Sequence, residues 1–290
     1  MTLLQSILMG LIQGLTEFLP VSSSGHLALF KILFHMNTET GLLFDVLLHI
    51  ATLAAVCLVY WRDVVKLIKG LILLIIDVVY NITVLFRRKR QPDLEYHKLD
   101  TSRYKKFMIL IIISTIPTGI IGLCAQNAIE AANEILLIPG ICLLITALLL
   151  LLSDRMPKGR KGVKSATLTD AFIIGIFQGC ATMPGISRSG STIAACCFLG
   201  FDRKFAVKYS FLASIPAILA AMVLEIKDIG GATITRSMAG SYVVGMIIAA
   251  VVGFIMVKLM LRIVTQRKFK YFSIYCAAVG VVSIIGYCAM

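Results

Sequence analysis

Apolar positions in this chain run in long blocks broken by short polar or basic intervals. Six blocks, 43–60, 107–125, 134–153, 205–226, 240–262 and 271–289, are each long enough for a helix to cross a hydrocarbon core of about 30 Å. Two further apolar stretches, 3–34 and 168–200, are interrupted midway by a proline, a cluster of hydroxyls and a glycine. Such a stretch cannot continue as one smooth helix, so each is predicted to be a re-entrant helical hairpin. The first fifteen residues lack a basic flank and a small-residue cleavage site, and are expected to remain as structure.

The two interrupted stretches are copies of one another. Gln13-Gly-Leu-Thr-Glu17-Phe-Leu-Pro-Val-Ser-Ser-Ser-Gly-His26 returns 165 residues later as Gln178-Gly-Cys-Ala-Thr-Met-Pro-Gly-Ile-Ser-Arg-Ser-Gly-Ser191. Gly10/Gly175, Gln13/Gln178, Gly14/Gly179, Ser22/Ser187, Ser24/Ser189 and Gly25/Gly190 match without a gap. The glycine pairs four apart read as close helix contacts.

Composition supports a polytopic membrane protein: 59% of the 290 residues are hydrophobic and 15% charged. The net charge of +13 is an orientation signal and does not point to nucleic acid. Of the 28 Lys and Arg residues, 23 lie in 62–106, 155–164, 203–208 and 262–270, which the positive-inside rule places in the cytoplasm. The links 35–42 and 126–133 carry none. Counting spans between these marks makes the two hairpins enter from opposite sides, each followed by three spans. The expected architecture is therefore an all-α membrane protein of two inverted-topology repeats forming a single domain, 1–290. Repeat 1 is 1–153, with a cytoplasmic insertion at 61–106, and repeat 2 is 168–290. Segment 66–86, apolar but basic at both ends, is expected to lie in the cytoplasmic interface as an extra helix. The eight cysteines, without CxxC spacing, are expected to be buried and reduced.

The breaks gather the chemistry. Gln13 and Glu17, four apart, share a helix face, and Pro20 ends that helix. Ser22, Ser23, Ser24 and Gly25 then open the returning helix, with Ser23 and His26 on one face. The second break offers Ser187, Ser189, Gly190, Ser191 and Thr192 around Arg188. Helix starts carry unpaired N–H groups and the positive end of the dipole, so two of them meeting with a guanidinium and hydroxyls form a phosphate cradle. Glu17, His26 and Arg188 each disfavour hydrocarbon, by about 2.5–3.5 kcal/mol for a charged Arg or acid. A plain Glu17–Arg188 ion pair would not need five flanking hydroxyls.

A carboxylate beside bound phosphate calls for a divalent cation, Mg²⁺ or Ca²⁺, with Glu17 and Gln13 as its protein ligands. Arg188 would neutralise oxygens in phosphoryl transfer. His26 could activate Ser23, activate water, or itself take the phosphoryl group; Ser23 activated by His26 is the favoured arrangement. His49 is read as helix packing, Asp170 as a first-turn residue, and His35 and His97 as loop residues.

Gln13-x-x-x-Glu17, the run Glu17-Phe-Leu-Pro-Val-Ser-Ser-Ser-Gly-His26, and Pro184-Gly-Ile-Ser-Arg-Ser-Gly-Ser-Thr192 resemble the signatures of the bacterial undecaprenyl-diphosphate phosphatase family, of the bacitracin-resistance BacA type. The likeness covers nearly the whole chain. It implies removal of the terminal phosphate of undecaprenyl diphosphate, which regenerates the carrier lipid for peptidoglycan synthesis, at the outer face of the plasma membrane and with a divalent cation. Carried over by position, the family's first-motif glutamates fall on Gln13 and Glu17, its serine and histidine on Ser23 and His26, and its arginine on Arg188. Gln13 is a glutamine where many relatives have glutamate. The partners so implied are a polyprenyl diphosphate and the bilayer, with no nucleic acid, and a homodimer is compatible.

The strongest rival is an inverted-repeat transporter or flippase of a phosphorylated lipid, whose helices break in the same way. Unlike a symmetric carrier, this chain pairs Glu17 with Thr182 and His26 with Ser191, while Arg188 corresponds to Ser23. Distinct acid, base and cation roles favour catalysis, and they are compatible with lipid transport in addition. An intramembrane serine protease and a channel fit less well, the one because Ser23 and His26 adjoin an arginine, the other because no polar ring repeats.

Overall fold

Both interrupted stretches fold as a pair of short helices joined by a capped turn. In the computed structural model, which describes residues 2–34, 38–88, 94–96, 102–228, 236–266 and 268–289, α1 (Leu3–Thr16) is followed by α2 (Ser23–Leu33). Their counterparts are α8 (Leu168–Cys180) and α9 (Arg188–Phe198). Each leading helix opens with a reciprocal capping box, Thr2 with Gln5 and Thr167 with Asp170. Each returning helix is capped by a serine whose Oγ accepts an N–H three residues on: Ser22 from Gly25 at 3.2 Å and Ser187 from Gly190 at 3.0 Å. The break in the first stretch comes earlier than expected. Helix α1 stops at Thr16 and residues 17–21 form turns, because Pro20 has no N–H and its ring would crowd the Thr16 carbonyl four residues back in a continued helix.

The remaining elements are α3 (Thr38–Val59), α4 (Trp61–Arg87), α5 (Arg103–Cys124), α6 (Gln126–Glu134), α7 (Leu137–Arg155), α10 (Arg203–Asp228), α11 (Arg236–Thr265) and α12 (Phe269–Ala289). No strand occurs among the described residues, and six helices (α4, α5, α7, α10, α11 and α12) are long and apolar enough to cross a membrane. Each expected span coincides with a helix, the first with α3. The link 126–133, expected as a bare connection, is the short helix α6. His35 and His97 lie outside the described residues.

Glycines set the packing of the leading helices. A Cβ on Gly10 would lie 2.4 Å from the Gly245 carbonyl oxygen, so α1 runs directly against α11. A Cβ on Gly175 would lie 2.2 Å from the Ser114 carbonyl oxygen, so α8 runs in the same way against α5. Helices α7 and α12 form a third close pair, tied by Ser273 Oγ to Ala147 O at 2.7 Å and Ser283 Oγ to Leu136 O at 2.8 Å. The main core gathers Phe18, Tyr60, Phe107, Phe201, Tyr209 and Phe211, and a smaller one Met9, Leu27, Phe44, Leu48 and Tyr242. Outward faces stay apolar, with Leu148, Ile247, Val251, Ile274, Val282 and Ile285 exposed, as suits a lipid surround.

Helix α4 meets its neighbours at their ends. Asp63 pairs with Lys208 near the start of α10, Lys66 Nζ donates to Tyr104 Oη, Gly70 backs onto the Tyr104 backbone, and Asp77 pairs with Lys105. Residues 63–77 cover about 21 Å of helix at roughly 1.5 Å per residue, and these four contacts all fall in the first two turns of α5 and α10. Cys142, Cys196, Cys197 and Cys276 are buried as expected, but Cys124, Cys180 and Cys288 are exposed on outward helix faces.

Candidate active site

The two capped turns face one another. A Cβ on Gly25 would lie 2.9 Å from the Gly185 Cα, and one on Gly190 would lie 3.2 Å from the Pro20 Cβ. Only glycine at 25 allows the backbones to approach so closely. Ser189 Oγ donates across the gap to Leu19 O at 3.2 Å. Arg188, the first residue of α9, reaches over to Glu17: its guanidinium donates to Oε1 in a short ion pair. Glu17 Oε2 accepts the hydroxyl of Ser23 at 2.6 Å and the amide of Gln13 at 3.0 Å. Gln13, Glu17, Ser23 and Arg188 therefore make one cluster drawn from both breaks.

The serine caps repeat in detail. Ser22 Oγ and Ser24 Oγ are 3.3 Å apart, as are Ser187 Oγ and Ser189 Oγ. Each cap satisfies one N–H of its helix, and other first-turn N–H groups have no intrahelical acceptor. The turns differ in where the backbone enters the left-handed region: Gly185 (φ +97°) in the second and Ser22 (φ +69°) in the first. That conformation costs a serine on the order of 1–3 kcal/mol and persists because the surroundings hold it. It directs the Ser22 carbonyl at His26, whose Nδ1 is 2.7 Å away. A carbonyl only accepts, so Nδ1 carries the hydrogen and Nε2 the lone pair. Nε2 lies 2.8 Å from Tyr275 Oη on α12.

The favoured Ser23–His26 pairing is not made. His26 Nδ1 is held by Ser22 and Nε2 by Tyr275, while Ser23 turns to Glu17. Sharing a helix face brought the two residues near, but the carboxylate is the stronger acceptor for the serine hydroxyl. Thr192, expected among the phosphate-binding hydroxyls, instead bonds Arg188 O at 2.9 Å and Ser210 Oγ at 2.6 Å, within the α9–α10 contact. Ser191 Oγ is buried without a partner. Asp170 caps α8 and pairs with Lys161, as a first-turn residue should.

Three residues join the site that the sequence left elsewhere. His49, read as packing, donates from Nδ1 to Asp45 O at 2.8 Å and turns Nε2 toward Glu17 Oε2, 3.8 Å away. Thr146 on α7 braces the second turn, with its hydroxyl donating to Gly185 O at 2.9 Å and accepting from the Ser187 N–H at 3.0 Å. Tyr275 is the third. None lies near a motif; only the midspan position of His49 hinted at a role.

Among the described residues no three His, Cys, Asp or Glu side chains are grouped to hold a metal ion. The cluster nevertheless suits a hard cation that brings its own oxygen ligands. Glu17 supplies a carboxylate, and Gln13 Oε1 is a buried oxygen with no donor.

The profile of the family described as bacitracin resistance protein BacA matches residues 6–282. An undecaprenyl-diphosphatase of Methanosphaera stadtmanae is 43% identical over 283 residues, covering 98% of this chain and 97% of that protein. One from Treponema denticola is 42% identical over 280 residues (97% and 96%), and one from Alkaliphilus metalliredigens 39% over 290 (98% of each). The match spans both breaks and every helix that holds them, and the chain belongs to the bacitracin resistance protein BacA family.

Proposed function

We propose that this protein is an undecaprenyl-diphosphate phosphatase, hydrolysing undecaprenyl diphosphate to undecaprenyl phosphate and inorganic phosphate. The family and its undecaprenyl-diphosphatase relatives support the substrate. The observation that carries the chemistry is the joining of Arg188, from the second break, to the Glu17 carboxylate that also holds Ser23.

The diphosphate binds where the two helix starts converge, against Arg188, Ser22, Ser24, Gly25, Ser187, Ser189 and Gly190. Arg188 exchanges its Glu17 partner for phosphate oxygens and offsets the charge that builds on them in transfer. Ser23 Oγ attacks the terminal phosphorus as its proton passes to Glu17 Oε2, and the bond to the bridging oxygen breaks, freeing undecaprenyl phosphate. Water then attacks the phosphoserine with His26 Nε2 taking its proton, and Ser23 regains its own from Glu17. Glu17 and Gln13 Oε1 would hold a Mg²⁺ or Ca²⁺ ion, which when bound neutralises diphosphate charge beside the carboxylate.

The same reading makes the chain a single domain of two inverted repeats, 1–153 and 168–290, each opening with a re-entrant hairpin. Its support is the exchange of packing partners: α1 lies on α11 as α8 lies on α5, and α7 pairs with α12. The basic segments put the insertion 61–106 in the cytoplasm, with α4 lying across the ends of α5 and α10 in the interface and the substrate reached from the outer face of the plasma membrane. A long prenyl tail then stays in the bilayer while the headgroup enters from the side.

Transport alone would not need the asymmetry between the turns. Thr182, the counterpart of Glu17, merely donates to Gly179 O at 2.7 Å. The test is phosphate release from undecaprenyl diphosphate by the purified protein, with and without a chelator. Metal-dependent release at catalytic rates is expected; lipid transport in vesicles without phosphate release would overturn the reading.

A further inference from the structure

Tyr275 is half-exposed on α12, 249 residues from His26 in sequence, yet its hydroxyl lies 2.8 Å from the one nitrogen of His26 that can act as a base. The tautomer of His26 fixes the direction of that bond. Ser22 O accepts from Nδ1, so Nε2 is an acceptor and Tyr275 Oη is the donor. The two rings are nearly parallel, 5° apart with centroids 5.6 Å from each other, so the tyrosine also limits imidazole rotation.

The mounting on both sides is firm. On the near side, the Ser22 carbonyl is aimed by a left-handed backbone that serine adopts only under constraint. On the far side, the same turn of α12 anchors to α7 through Ser273, and Cys276 donates its thiol to Pro20 O at 3.7 Å. Tyr275 therefore sits on a rigid element that also touches the first break.

We propose that Tyr275 is a positioning residue for the phosphatase reaction, holding His26 in the Nδ1–H tautomer with its Nε2 lone pair directed at the place where the attacking water must stand. The inference rests on the proposed phosphatase function. In the resting enzyme the tyrosine hydroxyl occupies the spot that the water takes over, so the imidazole is oriented before substrate arrives.

Two measurements test it on the full-length protein in detergent. The first is kinetic. Tyr275→Phe keeps the ring and removes only the hydroxyl, and kcat for phosphate release should fall at least about tenfold, part of the roughly 10²–10⁴-fold that a general base contributes. KM and the thermal midpoint should stay within about twofold and a few degrees. The second is ¹⁵N NMR of histidine-labelled protein, where His26 is assigned among four histidines by its loss in His26→Ala. Its Nδ1 should carry the proton in the parent protein, and the Nε2 resonance should move in Tyr275→Phe. Unchanged kcat in Tyr275→Phe, or an His26 spectrum blind to that substitution, would overturn the inference. Parent protein that releases no phosphate yet shows the expected resonances would instead count against the phosphatase reading alone.

Discussion

Arg188 and Glu17 are separated by 171 residues, yet their side chains form a short ion pair between the two helix breaks. Glu17 is buried and Arg188 partly exposed, and Ser23 and Gln13 share the second carboxylate oxygen. The arrangement has the makings of a latch as well as of a site, and the two roles separate on substitution.

Removing one partner leaves a buried charge without compensation. Arg188→Ala should cost about 3–5 kcal/mol of stability, measured as a lowered unfolding midpoint in detergent. Combining it with Glu17→Gln should recover most of that loss, because no charge is then stranded. The double variant should remain inactive, since the groups that meet phosphate are gone.

Ser23 is poised by a bond to Glu17. Ser23→Ala should reduce phosphate release at least about a hundredfold, as expected for a nucleophile, while leaving the unfolding midpoint within a few degrees. Rapid-quench experiments with labelled substrate should trap a phosphorylated protein in the parent chain and none in Ser23→Ala.

Gln13 donates its amide to Glu17 and carries a buried oxygen without a partner. Gln13→Glu supplies a second carboxylate, and the Mg²⁺ concentration giving half-maximal activity should fall by about tenfold or more, read from a titration after chelation. Gln13→Ala should raise that concentration.

Packing of the leading helices depends on glycine at two matched positions. Gly10→Ala and Gly175→Ala would each press a methyl onto backbone and should destabilise by about 1–3 kcal/mol or more. Gly240→Ala and Gly286→Ala, where nothing lies within 4 Å, serve as controls and should change little.

Both ends of α4 should lie on one side of the membrane. In a background lacking the native cysteines, Arg62→Cys and Arg88→Cys should both react with an impermeant thiol reagent from the cytoplasmic side. Labelling from opposite sides would make α4 a span.

Much of this was legible because membrane physics leaves a coarse record in sequence. Apolar blocks marked the helices α3, α5, α7, α10, α11 and α12, and each break announced itself by a proline with hydroxyls and glycine. The matched breaks, read as facing hairpins, made Arg188 and Glu17 natural partners. Contacts arriving from distant helices were not legible. Thr146 and Tyr275 look like ordinary span residues until α7 and α12 bring them to the turns. The Ser23–His26 pairing failed for a related reason: proximity on one helix does not decide which acceptor a hydroxyl selects when a carboxylate is also in reach. The exposed cysteines show that apolar blocks alone do not tell a lipid-facing side from a packed one.

The most direct measurement is the initial rate of phosphate release from undecaprenyl diphosphate by purified Arg188→Ala alongside the parent protein, each with saturating Mg²⁺. A guanidinium shared between the two breaks as the phosphate anchor requires a loss on the order of a thousandfold or more with the fold retained. Turnover by Arg188→Ala near the parent rate would contradict it.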